Sequence, residues 1–104
     1  MQIDVLTVSG CPHRSLALTR VQAAIHRGGV DAVVVERLVD DPETAAVVGM
    51  AGSPTILING RDPFASAQEE RSISCRLYRS DASIEGAPSV NSLVEALMST
   101  TAPP

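Results

Sequence analysis

The sequence predicts a single α/β domain of order β-α-β-α-β-β-α, with a mixed four-stranded sheet flanked by helices on both faces. Three observations lead there. Short β-branched runs bounded by Gly, Ser, Asn or Pro alternate with stretches whose apolar residues recur at helical spacing. The early strands are joined through helices, which predicts parallel neighbours with right-handed crossovers. The last two strands lie close enough in sequence to run antiparallel. A chain of 104 residues holds one such domain, assigned to residues 1–98, with 99–104 as a disordered tail.

Ile3 to Val8 reads as a buried strand, ended by Ser9-Gly10. A helix follows from about Pro12 to Arg27. Pro12 suits a first helical turn, where its missing N–H has no role. Ala17, Leu18, Val21, Ala24 and Ile25 form its apolar face, and Gly28-Gly29 stops it. Ala32 to Val39 is the second strand. Asp41 is placed to cap a short helix, with Pro42 at its first position and Glu43 at its positive end; it ends near Gly49. Gly52-Ser53-Pro54 leads into a third strand, Thr55 to Ile58, and Asn59-Gly60 signals a tight turn. Arg61 to Ser72 reads as an irregular, charged insertion. Strand character resumes over Ile73 to Tyr78, Asp81 to Ala87 is a loop, and Ser89 caps a last helix. The stripe of that helix is Val90, Leu93, Val94, Leu97 and Met98.

Composition narrows the function. Phe64 and Tyr78 are the only aromatic residues, so the core must be aliphatic. The net charge is −4, all eight basic residues are Arg, and no basic cluster or aromatic platform stands out. This argues against nucleic acid as a partner. No apolar run reaches membrane-spanning length, which argues against a membrane. Nothing resembles a secretory signal, so a cytoplasmic location is expected, and two cysteines there are expected as thiols rather than as a structural staple.

Chemistry concentrates at Cys11-Pro12-His13-Arg14, directly after the first strand. A thiol at a helix N-terminus is stabilised as thiolate by unpaired N–H groups and the helix dipole. Arg14, one turn along, favours the same charge, and His13 is placed to hydrogen-bond the sulfur or shuttle a proton. The plain alternatives stand beside these roles: a buried cysteine acting as a small apolar residue, and a solvated histidine. His26, near the end of the first helix, suits the negative end of the dipole. Two distant cysteines and two histidines make no zinc signature, and no Gly-rich phosphate loop is present, so neither metal nor cofactor is expected. The carboxylates read as a solvated surface, with Arg61 and Asp62 as a surface ion pair.

The element order resembles the thioredoxin fold over about Gln2 to Met98. Cys11-Pro12-His13 falls where that family carries its active thiol, and Ser53-Pro54-Thr55 falls where it carries a cis-proline. The chain is most similar to a small actinobacterial thioredoxin-like group, through Gly10-Cys11-Pro12, Gly52-Ser53-Pro54-Thr55, Asn59-Gly60-Arg61-Asp62 and Cys75-Arg76-Leu77-Tyr78-Arg79. Some members of that group carry an alkylmercury lyase label. The resemblance implies a cis bond at Pro54 that presents the Ser53 backbone to an incoming chain or thiol, with Pro12, Ser53, Pro54 and Thr55 as binding residues. The departure is Arg14, which stands where the family's Cys-x-x-Cys has its second cysteine. Cys75 is the only other thiol. As a candidate second thiol, resolving Cys11 through an internal disulfide, it would need its Cα within about 7 Å of that of Cys11; hairpin logic puts it instead at the far end of the fourth strand from Cys11, as a buried strand residue, unless the 61–72 insertion changes the register.

Three functions follow. The first is a monothiol redox protein, an oxidoreductase-like role if it is an enzyme. Cys11 would form mixed disulfides with a low-molecular-weight thiol or a protein disulfide. The second is a non-enzymatic binding or accessory module, with a soft metal such as mercury or copper as one ligand. The third is organomercurial cleavage, which needs two thiolates and an acid at one carbon–mercury bond. The oligomeric state is left open by the sequence.

Overall fold

The structure, a computed structural model, describes residues 1–65, 70–80 and 83–101. Part of the insertion (66–69), part of the 81–87 loop (81–82) and the end of the tail (102–104) lie outside the described residues. The elements are β1 (Gln2–Thr7), α1 (Arg14–Gly28), β2 (Val33–Leu38), α2 (Pro42–Val48), β3 (Ala51–Ser53), β4 (Thr55–Ile58), β5 (Ser72–Cys75), β6 (Tyr78–Arg79), β7 (Ile84–Glu85) and α3 (Val90–Thr101). The described residues form an α/β fold with a mixed sheet and three helices.

The main sheet has three strands among the described residues, in the order β2-β1-β4. β1 is central. It runs parallel to β2, from Gln2 opposite Val33 to Thr7 opposite Leu38. It runs antiparallel to β4, with Leu6 opposite Thr55 and Ile3 opposite Ile58. This register brings the start of β4, and the Ser53-Pro54 turn before it, to the end of β1. Alternation along the strands divides the core in two. Ile3, Val5, Ile56 and Ile58 pack with Ala17, Val21 and Ala24 of α1 and with Leu93 and Leu97 of α3. Leu6 and Leu57 pack on the other side with Val39, Ala45 of α2 and Met50.

The helix ends follow the sequence. Asp41 accepts the Thr44 N–H at 2.8 Å and caps α2. Ser89 accepts the Ser92 N–H at 3.1 Å at the head of α3. Gly29 and Gly49 close α1 and α2 in the left-handed region, at φ 62° and 82°. Asn59 and Gly60 make the expected tight turn, also left-handed at φ 50° and 84°. α3 continues three residues past Met98 to Thr101.

The predicted fourth strand does not join the main sheet. It splits at Arg76-Leu77. Ser72–Cys75 pairs parallel with β3, and Tyr78–Arg79 pairs antiparallel with β7. Three residues of β3 face four of β5, from Ala51 opposite Ser72 to Ser53 opposite Cys75, so β5 carries a bulge. The physical cause is Arg76: its side chain is drawn inside, and extended pairing stops there. Cys75 is therefore neither buried nor at the far end. It is exposed and lies opposite Ser53.

Candidate thiol site

Two consecutive turns carry the chain from β1 into α1, and Cys11 belongs to both. The Cys11 N–H donates to the Val8 carbonyl at 3.2 Å, closing a turn whose third residue is Gly10. Gly10 has φ 72°, and a Cβ there would touch nothing within 4 Å. Glycine is required for its backbone angle, not for space. The Arg14 N–H then donates to the Cys11 carbonyl at 3.3 Å. Pro12 fills the second position of this turn, where its fixed φ is preferred. The helix starts at Arg14 rather than Pro12, with His13 as its N-cap residue and no side-chain cap. Cys11 itself is half-buried, ahead of the positive end of α1.

The other half of the site is the turn before β4. The Ser53–Pro54 bond is cis. The Ser53 hydroxyl accepts the Val8 N–H at 3.1 Å. Val8 thus holds both halves, with its carbonyl on Cys11 and its N–H on Ser53. Ser53, Pro54 and Thr55 are all buried. The Ser53 carbonyl, expected to face an incoming chain, instead accepts the Arg76 N–H at 3.1 Å. Gly52, at φ 107°, lets β5 lie close: a Cβ there would sit 2.8 Å from the Arg76 Cβ and 3.0 Å from the Ser74 carbonyl. The backbone edge beside Pro54 is occupied by the chain's own β5.

His13 and Arg14 both face neighbours other than β4. A Cβ on Gly86 would fall 2.2 Å from His13 Cγ and 2.3 Å from Nδ1, so the imidazole lies directly on the Gly86 backbone. The Arg14 guanidinium forms an exposed ion pair with Glu36 of β2. Asp40 is a contributor that the sequence reading missed. Its carboxylate accepts the Ser9 N–H and the Ser9 hydroxyl, each at 2.7 Å, tying the end of β2 to the turn before Cys11. Those hydrogen bonds hold its carboxyl below the ordinary carboxylate range. The sequence signal was its place beside the cap residue Asp41. His26 is exposed in the last turn of α1.

Behind the Pro54 turn lies a buried polar group. The expected surface pair of Arg61 and Asp62 is not formed. Asp62 is paired with Arg76 at 2.6 Å, and each side chain is 6% exposed. The Arg76 guanidinium also donates to the Phe64 carbonyl at 3.0 Å and stacks 4.6 Å from the Tyr78 ring centroid. Tyr78 donates its hydroxyl to the Pro54 carbonyl, and its ring meets Phe64 edge-on at 5.6 Å. Asp4 is buried as well, accepting from Gln2 Nε2 at 2.8 Å, so the carboxylates are not all on the solvated surface.

Among the described residues, no three His, Cys, Asp or Glu side chains converge as a metal site, and no helix is long and apolar enough to cross a membrane. A groove of about 580 Å³ lies between the Asn59–Phe64 turn and α3, at the opposite end of the sheet from Cys11. It is lined by none of the predicted site residues. No known protein family, curated protein or solved structure matches the chain.

Proposed function

We propose that this chain is a thioredoxin-like redox protein that works through one nucleophilic thiol, Cys11, by forming mixed disulfides. The observation that carries the reading is the double grip of Val8, which holds the Cys11 turn and the Ser53-Pro54 turn on one residue. A parallel pair and an antiparallel third strand, with apolar cores on both sides, support the thioredoxin-like topology. The Cys11 thiolate attacks a disulfide, the attacked S–S bond breaks, and one thiol leaves. Because β5 fills the edge beside Pro54, the partner best suited is a low-molecular-weight disulfide or thiol rather than an extended polypeptide.

Incubation of the reduced protein with a small symmetrical disulfide, followed by mass spectrometry, tests this. Wild type should react at Cys11, and Cys11→Ser should lose that reaction together with any turnover in a disulfide-reduction assay. Equal labelling of wild type and Cys11→Ser, all of it at Cys75, removes the reading. Two observations favour the accessory-module alternative: Arg14 is paired with Glu36 and His13 lies on Gly86, so both already have structural partners. That alternative expects no redox turnover in wild type and loss of partner or soft-metal binding in Cys11→Ala.

A further inference from the structure

We infer that Cys75 is the resolving thiol for Cys11, so that the chain completes a two-electron cycle through an internal Cys11–Cys75 disulfide. The inference rests on the redox reading of Cys11 and adds the group that ends its mixed disulfide. The two cysteines lie 64 positions apart in sequence, yet a short relay joins them. Cys11 is hydrogen-bonded to Val8, Val8 to Ser53, and Ser53 is the strand partner of Cys75.

Cys75 is also held there. The next residue, Arg76, is fixed by its N–H on the Ser53 carbonyl and by its guanidinium on Asp62 and the Phe64 carbonyl. At the other end of β5, the Ser72 N–H donates to the Met50 carbonyl at 2.9 Å. Between these anchors the bulge in β5 sets Cys75 opposite Ser53. Its side chain is exposed and plays no part in either apolar core. Both thiols are free. A disulfide needs Cα atoms within about 7 Å. The Cys11 turn lies between β1 and α1, outside both, on the residue that the Val8 and Ser53 bonds relay to Cys75.

The steps balance. The Cys11 thiolate attacks one sulfur of a small disulfide, whose S–S bond breaks and releases one thiol after proton uptake. The Cys75 thiolate then attacks Cys11 Sγ, the mixed disulfide breaks, and the second thiol leaves. The two cysteines lose two electrons and the small disulfide gains them. An external reducing thiol returns the protein to its dithiol form.

The test treats full-length wild type, Cys11→Ser and Cys75→Ser, each reduced and dilute, with bis(2-hydroxyethyl) disulfide. Wild type should end without an adduct, lighter by two hydrogens, with both thiols lost to alkylation and a non-reduced peptide linking Cys11 to Cys75. Cys75→Ser should retain the hydroxyethylthio adduct on Cys11, with a lifetime at least about tenfold longer than in wild type. An adduct that persists equally on Cys11 in both proteins overturns the resolving role while leaving the Cys11 chemistry intact. Failure of Cys11 to react in Cys75→Ser overturns both. A disulfide found only between two copies also overturns the proposal.

Discussion

His13 and Gly86 form the tightest side-chain constraint next to the thiol. The loop that carries Gly86 cannot yield easily. Arg20 clamps it with a two-pronged pair to Glu85 at 2.9 and 3.0 Å and with bonds to the Ala87 and Pro88 carbonyls at 3.1 and 3.3 Å. Gly86→Ala would place a methyl inside the imidazole. Either the ring swings out or the clamp is strained, and overpacking of this kind costs about 1–3 kcal/mol. In the double variant with His13→Ala the methyl has room. Urea denaturation of the four proteins in this cycle should show a loss in Gly86→Ala that is largely recovered in the double variant. Strict additivity would mean that the ring does not rest on Gly86. Little of this was legible in the sequence, where Gly86 is one residue in a loop and His13 stands beside a cysteine. The backbone of Gly10 was more legible, because Ser-Gly after a β-branched run signals a turn on its own.

Local rules fixed the helices, whereas β5 obeys a distant one. Asp41, Ser89, Gly29 and Gly49 act within a few residues of themselves, and each does what its chemistry suggests. The pairing of β3 with β5 joins residues about twenty positions apart, across a segment without apolar periodicity. What places β5 is the buried pair of Arg76, from a stretch that reads as a strand, and Asp62, from one that reads as surface. Taking one partner away leaves a buried charge, which typically costs 3–5 kcal/mol, roughly the scale expected here. Asp62→Asn should therefore lower stability by about that amount in urea, and the amides of β5 should exchange with solvent faster than those of β1. Asp62→Leu combined with Arg76→Met should recover most of the stability, since an apolar replacement of the whole pair is often neutral. A loss in Asp62→Asn below about 0.5 kcal/mol, the usual range for surface substitutions, would show that the pair does not organise this strap.

At the scale of the molecule, two carboxylates tie separate elements together and a third caps a helix, and all three contribute to the response to acid. Asp40 joins the end of β2 to the turn before Cys11, Asp41 caps α2, and Glu85 holds the loop before α3 to α1. Hydrogen bonds from Ser9, Thr44 and Arg20 lower all three relative to ordinary carboxylates. Arg20 is raised by its bond to Glu85 and keeps its charge throughout, so the acid response of that pair belongs to Glu85. Between the lowered folded values and the unfolded values near pH 4, the unfolded chain binds more protons than the folded one. Stability from these groups is then fully present above about pH 4 and is lost as pH falls through the folded values. All three are solvent-screened, so each contribution is modest and the sum is what shows. Melting temperature should stay level from neutral pH to about 5 and fall below 4. Asp40→Asn combined with Glu85→Gln removes two of the three titrations while leaving neutral acceptors in place. Its acid limb should be shallower than that of wild type, and parallel limbs would show that these ties do not carry the acid sensitivity.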